Sequence, residues 1–241
     1  MALLEFAGVR KHYGRGQLER VALRNVSFEL GHGELVAVWG RRNSGRSTLL
    51  RIAAGLEAPD QGVVSLDGRE LHGRGAEDLR ERIRYCRKTF LPTEGNLVID
   101  RLITAQLTRG IRMAPARLRA VEALERAGAS QYATLKPSEL RIAEAVLVGM
   151  ARSLVHQPEL LVIDEPMLGV DSHDRHQILA VLRTLADEGV SVLMSVGETA
   201  CLVGADRALS LAAGELHGEL QPTELAPVIQ LHTAMSQTAS A

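Results

Sequence analysis

Lysine is scarce in this chain, since only three of its 28 lysine and arginine residues are lysines. An arginine at a position where a motif expects lysine is therefore less informative here than in most proteins. Neither sign of charge is in excess, because 28 basic and 29 acidic residues leave a formal net charge of −1. This balance argues against a surface built for nucleic acid and against a basic patch for a membrane surface. We expect no nucleic-acid partner.

Cysteines are few, and long apolar runs and a leader pattern are missing. The two cysteines, Cys86 and Cys201, are far apart and lack metal-ligand spacing, which argues against a disulfide framework or a zinc site. No apolar run approaches the roughly 18 residues of a membrane span, and the first residues lack a signal-peptide pattern. The 241 residues suffice for one large α/β domain. We expect a soluble cytoplasmic protein that reaches a membrane by docking onto a membrane protein.

A glycine-rich loop stands between a predicted buried strand, Leu35–Trp39, and a predicted helix that begins near Leu49. The loop residues are Gly40, Arg41, Arg42, Asn43, Ser44, Gly45, Arg46, Ser47 and Thr48. Strand, loop and helix in this order are the setting of a phosphate-binding P-loop, whose backbone N–H groups and helix N-terminus bind an anion. However, Arg46 stands where the pattern G-x-x-x-x-G-K-[ST] expects lysine. The loop alone leaves two interpretations open, a nucleotide site and a glycine-rich turn.

Two carboxylates follow a second predicted buried strand, Leu160–Ile163. Four apolar residues followed by Asp164 and Glu165 form a Walker B arrangement. Asp164 is predicted to hold Mg²⁺, mostly through water, together with the Ser47 hydroxyl. Glu165 is predicted to act as the catalytic base that accepts a proton from the water attacking the γ-phosphate. The alternative, a pair of ordinary solvated carboxylates, is disfavoured because the pair follows a P-loop at this spacing.

The remaining segments are predicted from hydrophobic periodicity and turn residues. Strands are predicted at 3–9, 26–30, 63–66, 83–86 and 191–196, with a closing strand pair at 207–217. The chain from about 98 to 157 is predicted to be helical. Within it, Pro137 is predicted to open a long helix that runs to about His156. Leu118, Val121 and Leu124 are predicted to form the apolar face of an earlier helix.

With these motifs in order, the chain resembles an ATP-binding-cassette (ABC) ATPase subunit from Leu3 to His217. The residues of these motifs are most similar to those of the lipoprotein-release and macrolide-export branch. Further residues that match family motifs are Tyr13 after the first strand, Pro137 to Leu140 before the signature, Gly169 to Asp171 after the Walker B strand, and Val192 to Ser195 before the switch position. The resemblance implies that ATP and Mg²⁺ bind here. It implies that Tyr13 stacks on adenine, and that the P-loop residues and Asp171 contact the nucleotide.

The resemblance also implies the architecture and the partners. The fold is expected to be α/β, with a P-loop NTPase (RecA-like) ABC ATPase core, an N-terminal antiparallel β subdomain and a helical subdomain at about 88–157. This domain is expected to span 1–220, with a C-terminal tail at 221–241. Two such subunits, in a homo- or heterodimer, are expected to sandwich ATP and to work with membrane-embedded permease subunits. The chain is thus expected at the inner face of the cell membrane, as a peripheral protein.

Four family motifs depart from their usual residues. The first departure is Arg46 in the P-loop. The second is Lys88, which stands where the Q-loop glutamine is expected and is either a solvated charge or a mobile charge near the nucleotide. The signature Ser-Gly-Gly-Gln is replaced by residues 141–144, which read Arg-Ile-Ala-Glu, and Gly197 replaces the switch histidine. In the P-loop, Asn43 replaces a middle glycine, which is tolerable because asparagine enters positive φ more readily than most residues.

These departures leave two functional hypotheses. The first is an ATP-binding subunit of an ABC transporter that couples nucleotide binding to movement of membrane partners, with weak hydrolysis. The retained pair Asp164 and Glu165 favours it. The second is a non-hydrolysing pseudo-ATPase that acts as a structural or regulatory subunit of an ABC hetero-complex. The absent signature and the glycine at position 197 favour this one, because loss of one oriented donor commonly costs on the order of 10²–10³ in rate.

Overall fold

A computed structural model of the chain describes residues 2–14, 20–87 and 96–220. Lys88 and the predicted tail at 221–241 lie outside the described residues. In chain order the strands are β1 (Ala2–Tyr13), β2 (Arg20–Gly31), β3 (Leu35–Trp39), β4 (Gln61–Leu66), β5 (Arg69–Glu70), β6 (Ile83–Cys86), β7 (Leu160–Asp164), β8 (Ser191–Val196), β9 (Arg207–Ala212) and β10 (Glu215–Leu220). The α-helices are α1 (Arg46–Ala53), α2 (Glu77–Glu81), α3 (Val98–Leu107), α4 (Met113–Arg126), α5 (Ile142–Leu154) and α6 (Ser172–Asp187). None of the helices in these ranges combines the length and apolarity that a membrane span requires.

The central sheet has six strands in the order β10-β9-β3-β8-β7-β6. Its inner strands are parallel, whereas β10 pairs antiparallel with β9. Strands β3, β7 and β8 are buried on both faces, and successive side chains alternate between two cores. In β3, for example, Leu35 and Ala37 face one core while Val36 and Val38 face the other. The predicted strands 35–39, 83–86 and 191–196 are confirmed.

The second sheet is antiparallel, in the order β2-β1-β4-β5. Its apolar face, together with helix α1, packs on one side of the central sheet. Helices α3 to α6 cover the opposite side and contribute to the other core. Because both sheet layers meet at α1, the loop before this helix lies at the junction of the two sheets. This junction is where the candidate site forms.

The helical region agrees with the sequence in its extent but not in where its last helix begins. Residues 98–157 contain three α-helices, separated by turns that include two short 3₁₀ turns. The predicted helix start at Pro137 is wrong, since Pro137–Glu139 forms a 3₁₀ turn and Leu140 and Arg141 are extended. Helix α5 begins at Ile142 because Glu144, its third residue, accepts a hydrogen bond from the Arg141 backbone N–H at 2.9 Å.

The predicted apolar face of α4 is also wrong. Leu118 and Val121 are exposed, with 69% and 46% of their surface accessible, and Leu124 is buried. Besides Leu124, the buried face consists of small residues, Ala116, Ala120 and Ala123, and continues to Ala127 just after the helix. These alanines are spaced three or four residues apart, so they lie on one side of the helix. Their small size lets α4 pack closely on α3 and α5.

Candidate nucleotide site

The loop between β3 and α1 has the backbone geometry of an anion-binding turn. Gly45 precedes helix α1 with φ of 109°, and Asn43 has φ of 67°, as the sequence interpretation of this residue requires. A Cβ at Gly45 would lie 2.4 Å from the Ala22 carbonyl oxygen, and one at Gly40 would lie 2.2 Å from the Leu211 carbonyl oxygen. Only glycine therefore fits at these two positions without backbone movement. The N-terminus of α1, with its unpaired N–H groups, points into the same region.

A pocket of about 650 Å³ opens above this loop. The pocket is lined by eight of the predicted site residues, Tyr13, Gly40, Asn43, Gly45, Arg46, Ser47, Thr48 and Glu165. Gly197 and Glu198, at the position of the altered switch, line it as well. Ser44, Asp164 and Asp171 do not line it. Ser44 is buried beneath the loop, and its hydroxyl has no hydrogen-bond partner among the described residues.

Outside the P-loop, two further arginines line this pocket that the sequence did not predict, Arg20 and Arg51. Arg51 lies one helical turn after Thr48, so helical spacing could have indicated it. Its guanidinium donates to the Tyr13 hydroxyl at 2.8 Å. No local sequence pattern indicates that Arg20 lines the pocket, because its position depends on the antiparallel pairing of β1 and β2, in which it lies opposite Tyr13.

The positive charge of Arg46 is paired with a carboxylate within the chain. Its Nη2 donates to the Glu165 carboxylate at 2.6 Å, and only 7% of its surface is accessible. Its Nη1 is buried and has no acceptor among the residues that the structure describes. A Cβ added to Gly197 would lie 3.6 Å from Nη1. The guanidinium thus lies beside both Glu165 and Gly197.

Asp164 is held rigidly at the end of β7. The Tyr85 hydroxyl donates to one of its oxygens at 3.2 Å, and the Ser195 hydroxyl donates to the other at 2.5 Å. Burial, followed by the neighbouring Asp164 charge, raises the pKa of Tyr85, which therefore stays a neutral donor. The Glu165 backbone N–H donates to Ser195 Oγ at 2.9 Å, so Ser195 on β8 fixes both Walker B residues.

The oxygen donors fit Mg²⁺ only in combination with a phosphate ligand. The Asp164 carboxylate and the Ser47 hydroxyl are hard oxygen ligands, which magnesium prefers. Within the described ranges, no cluster of three or more His, Cys, Asp or Glu side chains could hold a metal ion alone. Mg²⁺ in such sites is bound by one or two carboxylates plus substrate phosphates and water. The donor set therefore suits a cation that arrives with a nucleotide.

Comparison with known proteins identifies the family. A family profile described as ABC transporter matches residues 23–168. The chain belongs to the ABC transporter ATP-binding family. It is 33% identical over 229 residues to a phosphonates import ATP-binding protein of Frankia casuarinae, covering 90% of this chain and 89% of that protein. It is 32% identical over 222 residues to a lipoprotein-releasing system ATP-binding protein of Roseobacter denitrificans, covering 89% and 97%.

Some relatives of this ABC domain are longer. The chain spans 59% of a methionine import ATP-binding protein of Rhodococcus jostii, at 32% identity over 203 residues that make up 81% of this chain. It spans 33% of a macrolide export ATP-binding/permease protein of Chlorobaculum tepidum, at 31% identity over 217 residues that make up 88% of this chain. The lipoprotein-release and macrolide-export proteins expected from the sequence are thus among the relatives, and importers stand at similar identity.

Solved structures confirm the fold of the ABC domain. The cassette cbiO1 from Clostridium perfringens matches with a TM-score of 0.84 at 22% identity, covering 94% of this chain and 91% of that one. A bacterial ABC transporter cassette solved as a dimer matches with a TM-score of 0.79 at 24% identity, covering 91% and 98%. The predicted α/β P-loop NTPase core with an antiparallel β sheet and a helical region is confirmed.

The altered ABC signature folds back onto its own helix. The Arg141 side chain donates to Glu144 at 2.7 Å, in addition to the backbone bond at the start of α5. Burial works against the charged form of Glu144, but these bonds from Arg141 outweigh it and lower the pKa of the carboxyl. Glu144 is thus a buried carboxylate whose negative charge is paired with Arg141. The neighbouring Ile142 is 58% exposed. The surface at this motif therefore presents the Ile142 side chain together with the Arg141 side chain, which is 70% accessible.

Asp171 begins helix α6 and caps it. Its carboxylate accepts a hydrogen bond from the Asp174 backbone N–H at 2.9 Å, and this bond lowers the pKa of Asp171. Within one chain, Asp171 thus caps a helix and does not line the pocket. Its predicted contact with the nucleotide stays a prediction, as do the roles of Ser44 and Lys88.

Tyr13 is held at the rim of the pocket by a polar network. Besides the bond from Arg51, its hydroxyl lies 3.3 Å from Thr48 Oγ1, and the Lys11 ammonium lies 5.8 Å from the centre of its ring. Arg51 in turn donates to Glu57 at 3.0 Å. About a third of the tyrosine surface, 36%, is accessible. The ring is therefore fixed in orientation while remaining open to a planar ligand.

Proposed function

We propose that this chain is the ATP-binding subunit of an ABC transporter, in which nucleotide binding at a dimer interface moves membrane partners. The observation that carries the proposal is the pocket above the P-loop. Its volume of about 650 Å³ suits a nucleotide. It combines a helix N-terminus, several arginines and an exposed tyrosine ring, which suit phosphates at one end and a base at the other.

Each part of the pocket has a proposed role. Tyr13 stacks on adenine, while the backbone N–H groups from Gly40 to Thr48 bind the phosphates. Arg46 supplies positive charge to the β- and γ-phosphates. Ser47 and Asp164 hold Mg²⁺, which when bound neutralises phosphate charge. Glu165 is the candidate base for the attacking water.

Hydrolysis in this subunit is proposed to be weak. Gly197 has no side chain with which to hold the γ-phosphate or orient a water molecule. At the signature, Ile142 and Ala143 carry β-carbons where the family has glycines that let backbone N–H groups approach the phosphate. A base is useful only when its nucleophile is held in line with the phosphorus. Two missing contacts of this kind would each cost on the order of 10²–10³ in rate.

The proposed partners are a second ABC subunit and membrane-embedded permease subunits. The names of the relatives, which include import proteins, export proteins and a fused permease, support this assignment. The subunit would then lie at the inner face of the cell membrane through its permease partners. Residues 1–220 would form the ABC domain, with the helical subdomain at about 88–157 and a tail at 221–241.

A second candidate function is a pseudo-ATPase that serves as a structural or regulatory subunit of an ABC hetero-complex. The ion pair between Arg46 and Glu165 favours it, because this pair occupies both the cation and the base of the site. Both candidate functions allow ATP binding, and they differ in whether the bound ATP is hydrolysed.

Titration calorimetry with MgATP in the millimolar range tests the proposal. The unmodified protein should bind, and Gly45→Ala should abolish binding because its Cβ would collide with the Ala22 carbonyl. Gly110→Ala is the matched control, because Gly110 also has positive φ, 80°, but is outside the loop, and no atom of the described residues lies within 4 Å of a Cβ placed there. No detectable heat with the unmodified protein, or equal binding by Gly45→Ala, would refute nucleotide binding at this loop.

A further inference from the structure

We infer that Arg46, Glu165 and Gly197 form one autoinhibitory unit, in which Arg46 uses the room beside Gly197 to hold Glu165 until a nucleotide phosphate competes for the guanidinium. The competition with nucleotide rests on the proposed function. The unit itself rests on contacts within the chain.

The ion pair is the first component of the unit. Arg46 Nη2 and Glu165 Oε1 are 2.6 Å apart, and their side chains are only 7% and 18% accessible. Charges this far removed from water need a close partner, and breaking such a pair by removing one member leaves an uncompensated charge. The second carboxylate that lines the pocket, Glu198, is held instead by Arg175 at 2.7 Å. Arg46 is thus paired selectively with Glu165, the candidate base.

Gly197 is the second component, as a positioning residue. A Cβ at this position would lie 3.6 Å from Nη1 and 3.9 Å from Nη2 of Arg46, which is ordinary van der Waals contact. Alanine therefore fits, but a longer side chain directed into the pocket would occupy the space of the guanidinium. Gly197 and Arg46 are far apart in sequence and replace two expected residues, a histidine and a lysine. The geometry makes these two replacements complementary.

Arg46 Nη1 supplies the third component. It is a buried donor with no acceptor among the described residues, and such donors favour any ligand oxygen that can reach them. A phosphate on the P-loop could accept from Nη1 but would bring negative charge beside Glu165. Binding must therefore weaken the ion pair or be weakened by it. While the pair persists, the Glu165 oxygen is engaged by Arg46 and is poorly placed to accept a proton.

The first test measures melting temperature without nucleotide. Gly197→Ala should leave the melting temperature within about 1 °C of the unmodified protein, and Gly197→His should lower it by at least about 2–4 °C. In an Arg46→Lys background, Gly197→His should be tolerated, because the compact ammonium leaves room for the imidazole. Equal losses from Gly197→His in both backgrounds, or no loss in either, would overturn the complementarity of Arg46 and Gly197. This result does not depend on nucleotide binding.

The second test measures MgADP affinity by calorimetry, because ADP has no γ-phosphate to hydrolyse and removal of the base cannot act by trapping substrate. Glu165→Gln should tighten binding about tenfold, since the charge-assisted bond to Arg46 no longer competes. Glu198→Gln removes a carboxylate from the same pocket without releasing Arg46, so its effect should be clearly smaller. The gain from Glu165→Gln should vanish in an Arg46→Met background.

Unchanged or weaker MgADP binding by Glu165→Gln, or equal gains from Glu165→Gln and Glu198→Gln, would overturn the competition. If no variant binds any nucleotide, the proposed function fails and the competition with it, whereas the melting experiment still decides whether Arg46 and Gly197 form a unit.

Discussion

A guanidinium is a planar fork, so it cannot replace the ammonium of a lysine without involving different neighbours. In this chain the fork at position 46 reaches Glu165 at 2.6 Å and fills the space beside Gly197. Tyr13, which lines the same pocket, accepts a hydrogen bond from Arg51. At the scale of single residues, the part of the pocket proposed for phosphates is thus altered, whereas the tyrosine proposed for adenine is retained.

The stacking on adenine that is proposed for Tyr13 leads to a prediction. Tyr13→Ala should weaken MgATP binding, because aromatic stacking on a base is worth about 1–3 kcal/mol. Tyr13→Phe keeps the ring and loses only the hydroxyl bonds, so it should retain most of the affinity. Calorimetry on both variants separates the two contributions. If Tyr13→Phe loses as much affinity as Tyr13→Ala, the hydroxyl network, and not stacking, holds the ligand.

At the scale of elements, the start of α5 shows how an altered motif acquires a structural role. Glu144→Ala should destabilise the fold by about 0.5–2 kcal/mol, because it removes the carboxylate that satisfies the Arg141 backbone N–H. Glu122→Ala, at an exposed position on α4, is the matched control and should change stability by less than about 0.5 kcal/mol. Urea denaturation measures both. Equal losses would show that Glu144 is not a helix cap.

The helices of this region also share a buried polar chain that predicts a pH dependence. Gln106 on α3 accepts from Arg119 on α4 at 3.2 Å and lies 3.2 Å from His156 Nδ1. Burial, and then the charges of Arg84, Arg109 and Arg152, lower the pKa of His156 from 6.5 to about 4. The folded state therefore keeps this imidazole neutral where the unfolded chain would already be protonated.

The sign of the His156 effect follows from this difference. The folded pKa is depressed, so the unfolded state binds the proton first as the pH falls. Stability should be full above about pH 6.5 and should decline as the pH falls towards 4. His156→Gln should flatten this part of the stability profile, as measured by urea unfolding at pH 7 and pH 5. An unchanged slope in the variant would assign the acid sensitivity to other groups.

At the scale of the whole molecule, the sequence predicted the sheet well and the helices poorly. Strands buried on both faces, such as 35–39 and 191–196, appear as short apolar runs between turns, and their bounds were predicted correctly. The α4 face could not be predicted, because a row of alanines packs there while leucine and valine remain exposed. This choice depends on how closely neighbouring helices approach, which no local pattern records.

The candidate site divides in the same way. The P-loop and the Walker B pair were predicted from local residues, because each motif is contiguous. The contact of Arg46 with Glu165 and Gly197 could not be predicted, because the parallel pairing of β3, β8 and β7 brings these distant segments together. Both substitutions were visible in the sequence, but their complementarity requires the three-dimensional structure.

The domain boundary provides a prediction for the complete chain. Strand β10 ends at Leu220, which pairs with Ala208 on β9 and packs against the core. A chain that ends at Leu220 should therefore fold cooperatively and melt within about 2 °C of the 241-residue chain, because it keeps every strand pair that the structure describes. Calorimetric melting of both chains tests this. Insolubility or loss of a cooperative transition would show that residues 221–241 belong to the domain.

We propose that this ABC subunit retains a nucleotide pocket, but that its candidate base, Glu165, is held by Arg46 and lacks a side chain at position 197 to orient the attacking water. Steady-state phosphate release, measured over the same MgATP range for the unmodified protein and for Glu165→Gln, tests it most directly. We expect slow release whose maximal rate at saturating MgATP Glu165→Gln changes little, because Glu165 does not limit turnover. Brisk release by the unmodified protein that Glu165→Gln abolishes would contradict it.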